Sequence, residues 1–322
     1  MGGGPAGSTF ADIASQNGLS VLVLEKDREI GVPVRCGEAV SDKGLRIFHD
    51  VEQEWINATI TRIRLVAPNE TVIEFDLNES GYILDRKIFD SALAKKAAEN
   101  GAVIKTKAYV DGLIFDEDKV VGVTGAILGE PFQITAKIVV GADGVESRVG
   151  RWAGLPTHVK LKDMESAIQE TVTGIDVESH IFEFHLSRNW SPGGYLWVFP
   201  KGKRSANIGL AISGLYAKEG KSAYKYLQEF LDRKYPNGST QTMIAGGVPV
   251  AKTVKKMVTD GLMLVGDAAH TVNPMTGGGI IPGMRSGLLA AETAVSVIKS
   301  EQNPTKKHLQ KYEKSWHKIG GK

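Results

Sequence analysis

The chain has 322 residues, 42% of them hydrophobic, which suits about two domains with real cores. Its 39 basic and 37 acidic side chains nearly cancel, and a net charge of +2 gives no nucleic-acid signal. One cysteine excludes an internal disulfide and fits a reducing, cytoplasmic setting; the seven histidines have no metal-ligand spacing, and no apolar run reaches the ~18 residues of a membrane span, so any membrane contact is expected to be peripheral.

Residues 2 to 7 read GGGPAG, a G-x-G-x-x-G formed by Gly2, Gly4 and Gly7. The stretch that follows, STFADIASQNG, predicts a helix capped by Gly18, and LSVLVLEKD predicts a strand ending in Glu25. In a dinucleotide fold Gly2 makes the tight turn, Gly4 lets the backbone approach pyrophosphate, and Gly7 lets helix pack on strand. Glu25 stands where an acid accepts hydrogen bonds from ribose hydroxyls. The plain alternative is a glycine-rich turn in an ordinary α/β protein. The fingerprint should follow a buried parallel strand, yet only Met1 precedes it. The expectation is a truncated chain or a misplaced start, with weakened stability and weak nucleotide binding.

EIGVPVRCGEAVSDKG comes next and holds Cys36, the single cysteine, in a loop. A cysteine is most often a small buried hydrophobe. Here Gly37 removes bulk beside the thiol and Arg35 is placed to favour a thiolate. TITRIRLVAPNETVIEFDL predicts a hairpin about its PNE turn, and LDRKIFDSALAKKAAENG a helix between Asp85 and Gly101. A strand, a second hairpin, and a strand leading to a tight turn and short helix fill the stretch to Gly154. Met164 to Val250 reads as strands with one helix near AKEGKSAYKYLQEFLDRKY. Within it, GGYLWVFPKG sets Tyr195, Trp197 and Phe199 on one face of a strand. GLMLVGDAAH is a buried strand, TGGGIIPGMRSGLLAAETAVSVIK a glycine-led long helix, and PTKKHLQKYEKSWHKIGGK begins a basic helix. The lysines from Lys306 to Lys322 read most simply as a solvated face, or else as a contact for anionic lipid headgroups.

The pattern gives an α/β fold: a discontinuous Rossmann-like domain at 1–58, 82–156 and 255–300, with an antiparallel-sheet domain inserted at 59–81 and 157–254. Residues 301–322 begin a C-terminal helical region.

Two later motifs, VVGADGVESRVG and GLMLVGDAAHTVNPMTGGGI, complete a set with the N-terminal loop. The set resembles the three fingerprints of FAD-binding oxidoreductases of the aromatic hydroxylase type. That resemblance implies FAD. It implies a cofactor shell of Gly2, Gly4, Gly7, Glu25, Arg35, Cys36, Gly37, Arg86, Val110, Asp143, Asp267, Gly278, Gly279 and Ile280, with Asp267 on the ribityl chain. Backbone N–H groups at the glycine-led helix start suit the anionic charge of a reduced flavin. No second G-x-G-x-x-G is present, so a tightly held nicotinamide nucleotide is not expected.

RCGEA, YILDRKIFD, GADGVES, RWAGL, WVFPKG, GLMLVGDAAH and NPMTGGGI follow in the order found in geranylgeranyl reductases. The chain resembles most the archaeal members that saturate digeranylgeranylglycerophospholipids. That family carries a further helical region beyond the last fingerprint helix, so both ends read as clipped. The resemblance implies a prenylated lipid substrate, electrons from ferredoxin or NAD(P)H, and peripheral contact with the inner face of the cell membrane. It places the RCGE loop beside the isoalloxazine ring, with Cys36 or Glu38 as proton donor. Tyr195, Trp197 and Phe199 become the wall of a prenyl tunnel; otherwise they are a core stripe. The alternatives are a geranylgeranyl diphosphate or chlorophyll-type reductase and a flavin monooxygenase. An electron-transfer flavoprotein with a cysteine-ligated iron–sulfur site is disfavoured, because one cysteine cannot supply it.

Overall fold

The computed structural model describes residues 1–320; Gly321 and Lys322, the end of the basic stretch, lie outside the described residues. The chain divides into two compact units, Met1–Pro33, Lys87–His158 and Ala251–Lys322 in the first, Val34–Arg86 and Val159–Val250 in the second.

The first unit is the Rossmann-like one. Its fingerprint helix Pro5–Gln16 opens with Pro at the first position, where the missing N–H costs nothing. It ends as expected: Gly18, at φ +81°, donates to Ser15 O, and Leu19 donates to Ala14 O. Strand Leu22–Leu24 pairs in parallel with Val103–Lys105, and Val139–Gly141 pairs in parallel with Leu262–Leu264. The two pairs are separate sheets, and Met1 and Gly2 touch both. The Met1 ammonium donates to Val140 O at 2.7 Å, Ala142 N donates to Met1 O at 2.8 Å, and Gly2 N donates to Leu24 O at 2.9 Å. A cleft of about 620 Å³ opens here, lined by Val21, Val23, Val140 and other apolar side chains. A three-stranded antiparallel meander, Ala108–Asp116, Lys119–Ile127 and Glu130–Thr135, completes the strands.

The long helix Ile280–Lys299 and the final helix Lys306–Gly320 close this core. Leu309, Tyr312 and Trp316 of the final helix are buried, and the Tyr312 hydroxyl donates to Leu264 O at 2.8 Å. Lys307, Lys311, Lys314 and Lys318 stay exposed, spaced as one helical face.

The second unit is one eight-stranded sheet. Its order is Ser239–Pro249, Met164–Thr173, Ser205–Ser213, Leu196–Pro200, Ile181–His185, Ile56–Val66, Val72–Leu84 and Ala39–Ser41. All pairs are antiparallel except Ile181–His185 with Ile56–Val66. Alternation splits its faces. Leu196, Val198, Ile208 and Leu210 meet Leu227 and Phe230 of helix Ala223–Lys234. Trp197 and Phe199 join Phe182, Ile60 and Ile83 in a second cluster.

The division corrects the expected boundaries. Residues 34–58 and 82–86, expected with the nucleotide domain, belong to the sheet unit. Ala39 pairs with Ile83, so the cysteine loop and the start of the hairpin are sheet residues. The single helix expected near Tyr216 is two, Gly214–Lys218 and Ala223–Lys234, broken at Gly220 with φ +81°.

Candidate active site

The candidate residues form two groups, one in each unit. In the first unit the three fingerprint glycines have three different reasons to be glycine. Gly2 has φ +99°, and a Cβ there would lie 2.2 Å from Ala142 O. A Cβ on Gly7 would lie 2.0 Å from Gly2 O, whereas one on Gly4 would meet nothing within 4 Å. Turn and packing are thus filled by protein at Gly2 and Gly7, while Gly4 faces open space at the helix N-terminus. Glu25 braces the loop: its Oε2 accepts from Gly3 N at 2.8 Å and its Oε1 from Asp27 N at 2.9 Å.

Asp143 follows Val139–Gly141. Its Oδ2 accepts from Val149 N at 3.0 Å, but its Oδ1 is buried with no hydrogen-bond partner among the described residues. Burial pushes its carboxyl above the usual range, opposed by backbone N–H donors and the Met1 ammonium. A buried acceptor of this kind fits a ligand that brings a donor. Asp267 is half-buried beside Gly279, whose Cβ would lie 3.1 Å from Asp267 Oδ1. Gly279 is the N-cap of Ile280–Lys299 and brings no side chain of its own to cap the first turn. Gly278 and Gly279 leave those N–H groups for an anion. Val110 sits opposite Gly125, partly buried against the core of its unit. The orphaned Asp143 oxygen, the open Gly4 and the glycine-led helix start fit a dinucleotide with hydroxyl donors and an anionic ring.

The second group surrounds the thiol. Cys36 is half-buried, and its Sγ accepts from Glu38 N at 3.2 Å. Burial pushes the thiol pKa up, and the Arg86 guanidinium beside it pulls the other way. This corrects the role expected of Arg35, which is exposed. The cation on the thiol comes from Arg86, the first residue of helix Arg86–Glu99, and burial outweighs it, so the thiol pKa stays raised.

Glu38 is 2% exposed and has φ +70°, a backbone conformation unusual for a side chain of its size. Its interactions hold it there. Oε2 accepts from Lys201 Nζ at 2.7 Å and from Asn207 Nδ2; Oε1 accepts from Arg86 N at 3.3 Å. The carboxylate is an anchor for the loop. Lys201 and Asn207 were not singled out from the sequence. Asn207 had a signal all the same: between the terminal serines it is the one polar side chain in the strand SANIGLAIS, on the Phe199 register.

Gly37 lies over the aromatic row, where a Cβ would stand 3.2 Å from Phe199. Tyr195 and Phe199 flank Trp197, with ring centroids 5.8 and 6.2 Å from it. Burial, with Glu165 and Cys36 nearby, pushes the Tyr195 phenol up to about 12. Gly193 and Gly194 do not open this row to a ligand. A Cβ on Gly194 would lie 2.2 Å from Ala211 O, and one on Gly193 2.7 Å from Ser213, so both make room for the neighbouring strand.

Residues 163–250 match the description of a geranylgeranyl reductase catalytic domain, and residues 1–63 that of an NAD(P)-binding Rossmann-like domain. A crystal structure of a geranylgeranyl bacteriochlorophyll reductase-like protein from Thermoplasma acidophilum aligns with TM-score 0.94 at 37% identity, covering 98% of this chain and 82% of that one. A flavin-dependent brominase shares the fold, with TM-score 0.82 at 22% identity over 99% of this chain and 83% of its own. Digeranylgeranylglycerophospholipid reductase 1 of Methanococcoides burtonii is 45% identical over 98% of this chain and 78% of its own length. The corresponding reductase of Methanocella arvoryzae is 43% identical over 100% of this chain and 83% of its own. The chain belongs to the digeranylgeranylglycerophospholipid reductase family.

Proposed function

We propose that the chain is an FAD-dependent reductase that saturates the C=C bonds of geranylgeranyl chains in a glycerophospholipid. The observation that carries this reading is the single thiol in the same unit as a row of three aromatic rings, with Arg86 against the sulfur and burial pushing the thiol pKa up. FAD, once bound and reduced by ferredoxin or NAD(P)H, would supply the hydride that one alkene carbon needs. The Cys36 thiol gives its proton to the other carbon, and the resulting thiolate is steadied by Arg86 until it regains a proton from solvent. An isolated trisubstituted alkene has no carbonyl to polarise, so positive character develops at the tertiary carbon as the proton arrives. The faces of Tyr195, Trp197 and Phe199 suit that charge and pack against the prenyl chain.

The nucleotide group would hold FAD through Gly2, Gly4, Gly7, Glu25, Asp143, Asp267, Gly278, Gly279 and Ile280, with Val110 nearby. The family resemblance adds Arg35, Cys36, Gly37 and Arg86 to the residues proposed to bind the cofactor. Among the described residues no helix is long and apolar enough to cross a membrane. The proposed contact with the inner face of the cell membrane is peripheral, through the lysine face of the last helix.

The test is anaerobic incubation of dithionite-reduced, FAD-loaded protein with digeranylgeranylglycerophospholipid, followed by product mass. A gain of two mass units per bond is expected, and an unchanged lipid overturns the reading. Oxygen uptake coupled to NADPH oxidation, without lipid reduction, would point to a monooxygenase instead.

A further inference from the structure

A buried side chain with no part in the chemistry above ties the thiol loop to the aromatic row. The strand register sets Gln169, Gly209 and Trp197 side by side on three neighbouring strands. Gly209 has no side chain, and a Cβ there would lie 2.4 Å from the Trp197 ring. The indole therefore lies across the middle strand and reaches the far one. Trp197 Nε1–H donates to Gln169 Oε1 at 2.9 Å, and Gln169 Nε2 donates to the Cys36 carbonyl at 3.0 Å. An indole N–H only donates and a carbonyl only accepts, so a single orientation of the amide satisfies both. Gln169 is 5% exposed, which leaves little room for water to replace either partner.

The next row repeats the device. Thr171 donates to Asn207 Oδ1 at 2.8 Å, and Asn207 Nδ2 donates to the Glu38 carboxylate. The loop is thus held at Cys36 by one strand row and at Glu38 by the next.

We propose that Gln169 is a positioning residue: its amide fixes the Cys36 thiol against the Trp197 ring. This rests on the reading of Cys36 as proton donor. The amide supplies both a donor and an acceptor at this position and stays uncharged at every working pH. An ionised carboxylate would still accept from the indole, but would set a second anionic oxygen against the Cys36 carbonyl. Once protonated, it would donate again and restore both bonds.

That difference makes the test. Because Cys36 is the only cysteine, alkylation by iodoacetamide reports on it alone. Gln169→Leu should keep its flavin, change the Cys36 alkylation rate several-fold, and lose about 10- to 100-fold in turnover, the scale of a displaced reacting group. Gln169→Glu should approach the natural enzyme's turnover, measured at the same pH, as pH falls from about 8 toward about 4.5, since a free glutamate gains its proton at about 4.3 and burial at this position raises that value. A deficit in Gln169→Glu that does not change with pH overturns the proposal. So does a Gln169→Leu protein whose alkylation matches the natural chain. If the natural protein fails to reduce the lipid at all, the proposed function falls, while the alkylation rates still decide whether Gln169 sets the thiol.

Discussion

At the scale of single residues, the thiol decides most. Cys36→Ser and Cys36→Ala should keep FAD and lose about 100-fold or more of alkene reduction, the scale of a removed proton donor. Flavin absorbance and product mass read the two effects separately. Near-normal turnover in the alanine variant would leave Cys36 as loop packing. Alkylation needs the thiolate, and burial raises the thiol pKa. The rate at neutral pH should therefore lie below that of a free thiol, then climb through a midpoint above the ordinary value of about 8.5. Arg86 opposes the shift, so Arg86→Met should move that midpoint further up. Asp267→Ala should release FAD, since a ribityl hydroxyl loses a charged acceptor; yellow protein surviving gel filtration would count against that role. The loop composition around Cys36 was legible in the sequence, but the identity of its cation was not. Arg35 is adjacent in the chain yet exposed, while Arg86 arrives from a helix start 50 positions along.

At the scale of elements, alternation in YLWVFPK set Trp197 and Phe199 on one face, and the two clusters of the sheet confirm that split. Periodicity speaks of a strand's two faces. It says nothing of which strands become neighbours, so the row Gln169–Gly209–Trp197 could not be read. Trp197→Ala should lower turnover about tenfold or more while leaving FAD content within about twofold, because the indole belongs to the sheet unit and not to the nucleotide fingerprints. Equal loss of flavin and activity would make the row a plain core stripe. The last helix carries its own test. Its apolar side is buried through Leu309, Tyr312 and Trp316, although Ile319 is exposed, so the lysines at 307, 311, 314 and 318 are the charged groups through which the proposed contact would act. Each contributes about 1 kcal/mol near an anionic bilayer. Changing all four to Glu should abolish cosedimentation with anionic vesicles at low salt and leave lipid reduction in detergent unchanged. Binding that survives the four changes would move the membrane contact elsewhere.

At the scale of the whole molecule, the α/β class and the inserted sheet were legible because glycine fingerprints mark strand-to-helix turns wherever they fall. The division of the chain was less so. A hairpin beginning at Ile56 looks like an insert, but its pairing with Ala39–Ser41 draws the cysteine loop into the sheet unit as well. Strands Leu22–Leu24 and Val139–Gly141 each pair on one side only, Met1 and Gly2 bond to both, and an apolar cleft of about 620 Å³ lies between. In a doubly wound sheet, a parallel strand leading into the fingerprint would occupy that place. It would pair with both edges, bury its side chains in the cleft, and steady the Gly2 turn that shapes the phosphate site. An apolar strand of about six residues added ahead of Met1 should then raise the melting temperature by about 5 °C or more and tighten FAD binding. Thermal unfolding with and without FAD, on the chain as given and on the extended chain, separates the two effects. A charged segment of equal length is the control, because it cannot bury itself in the cleft. Equal melting and equal FAD affinity in all three proteins would show that Met1 and Gly2 already close the sheet well enough on their own.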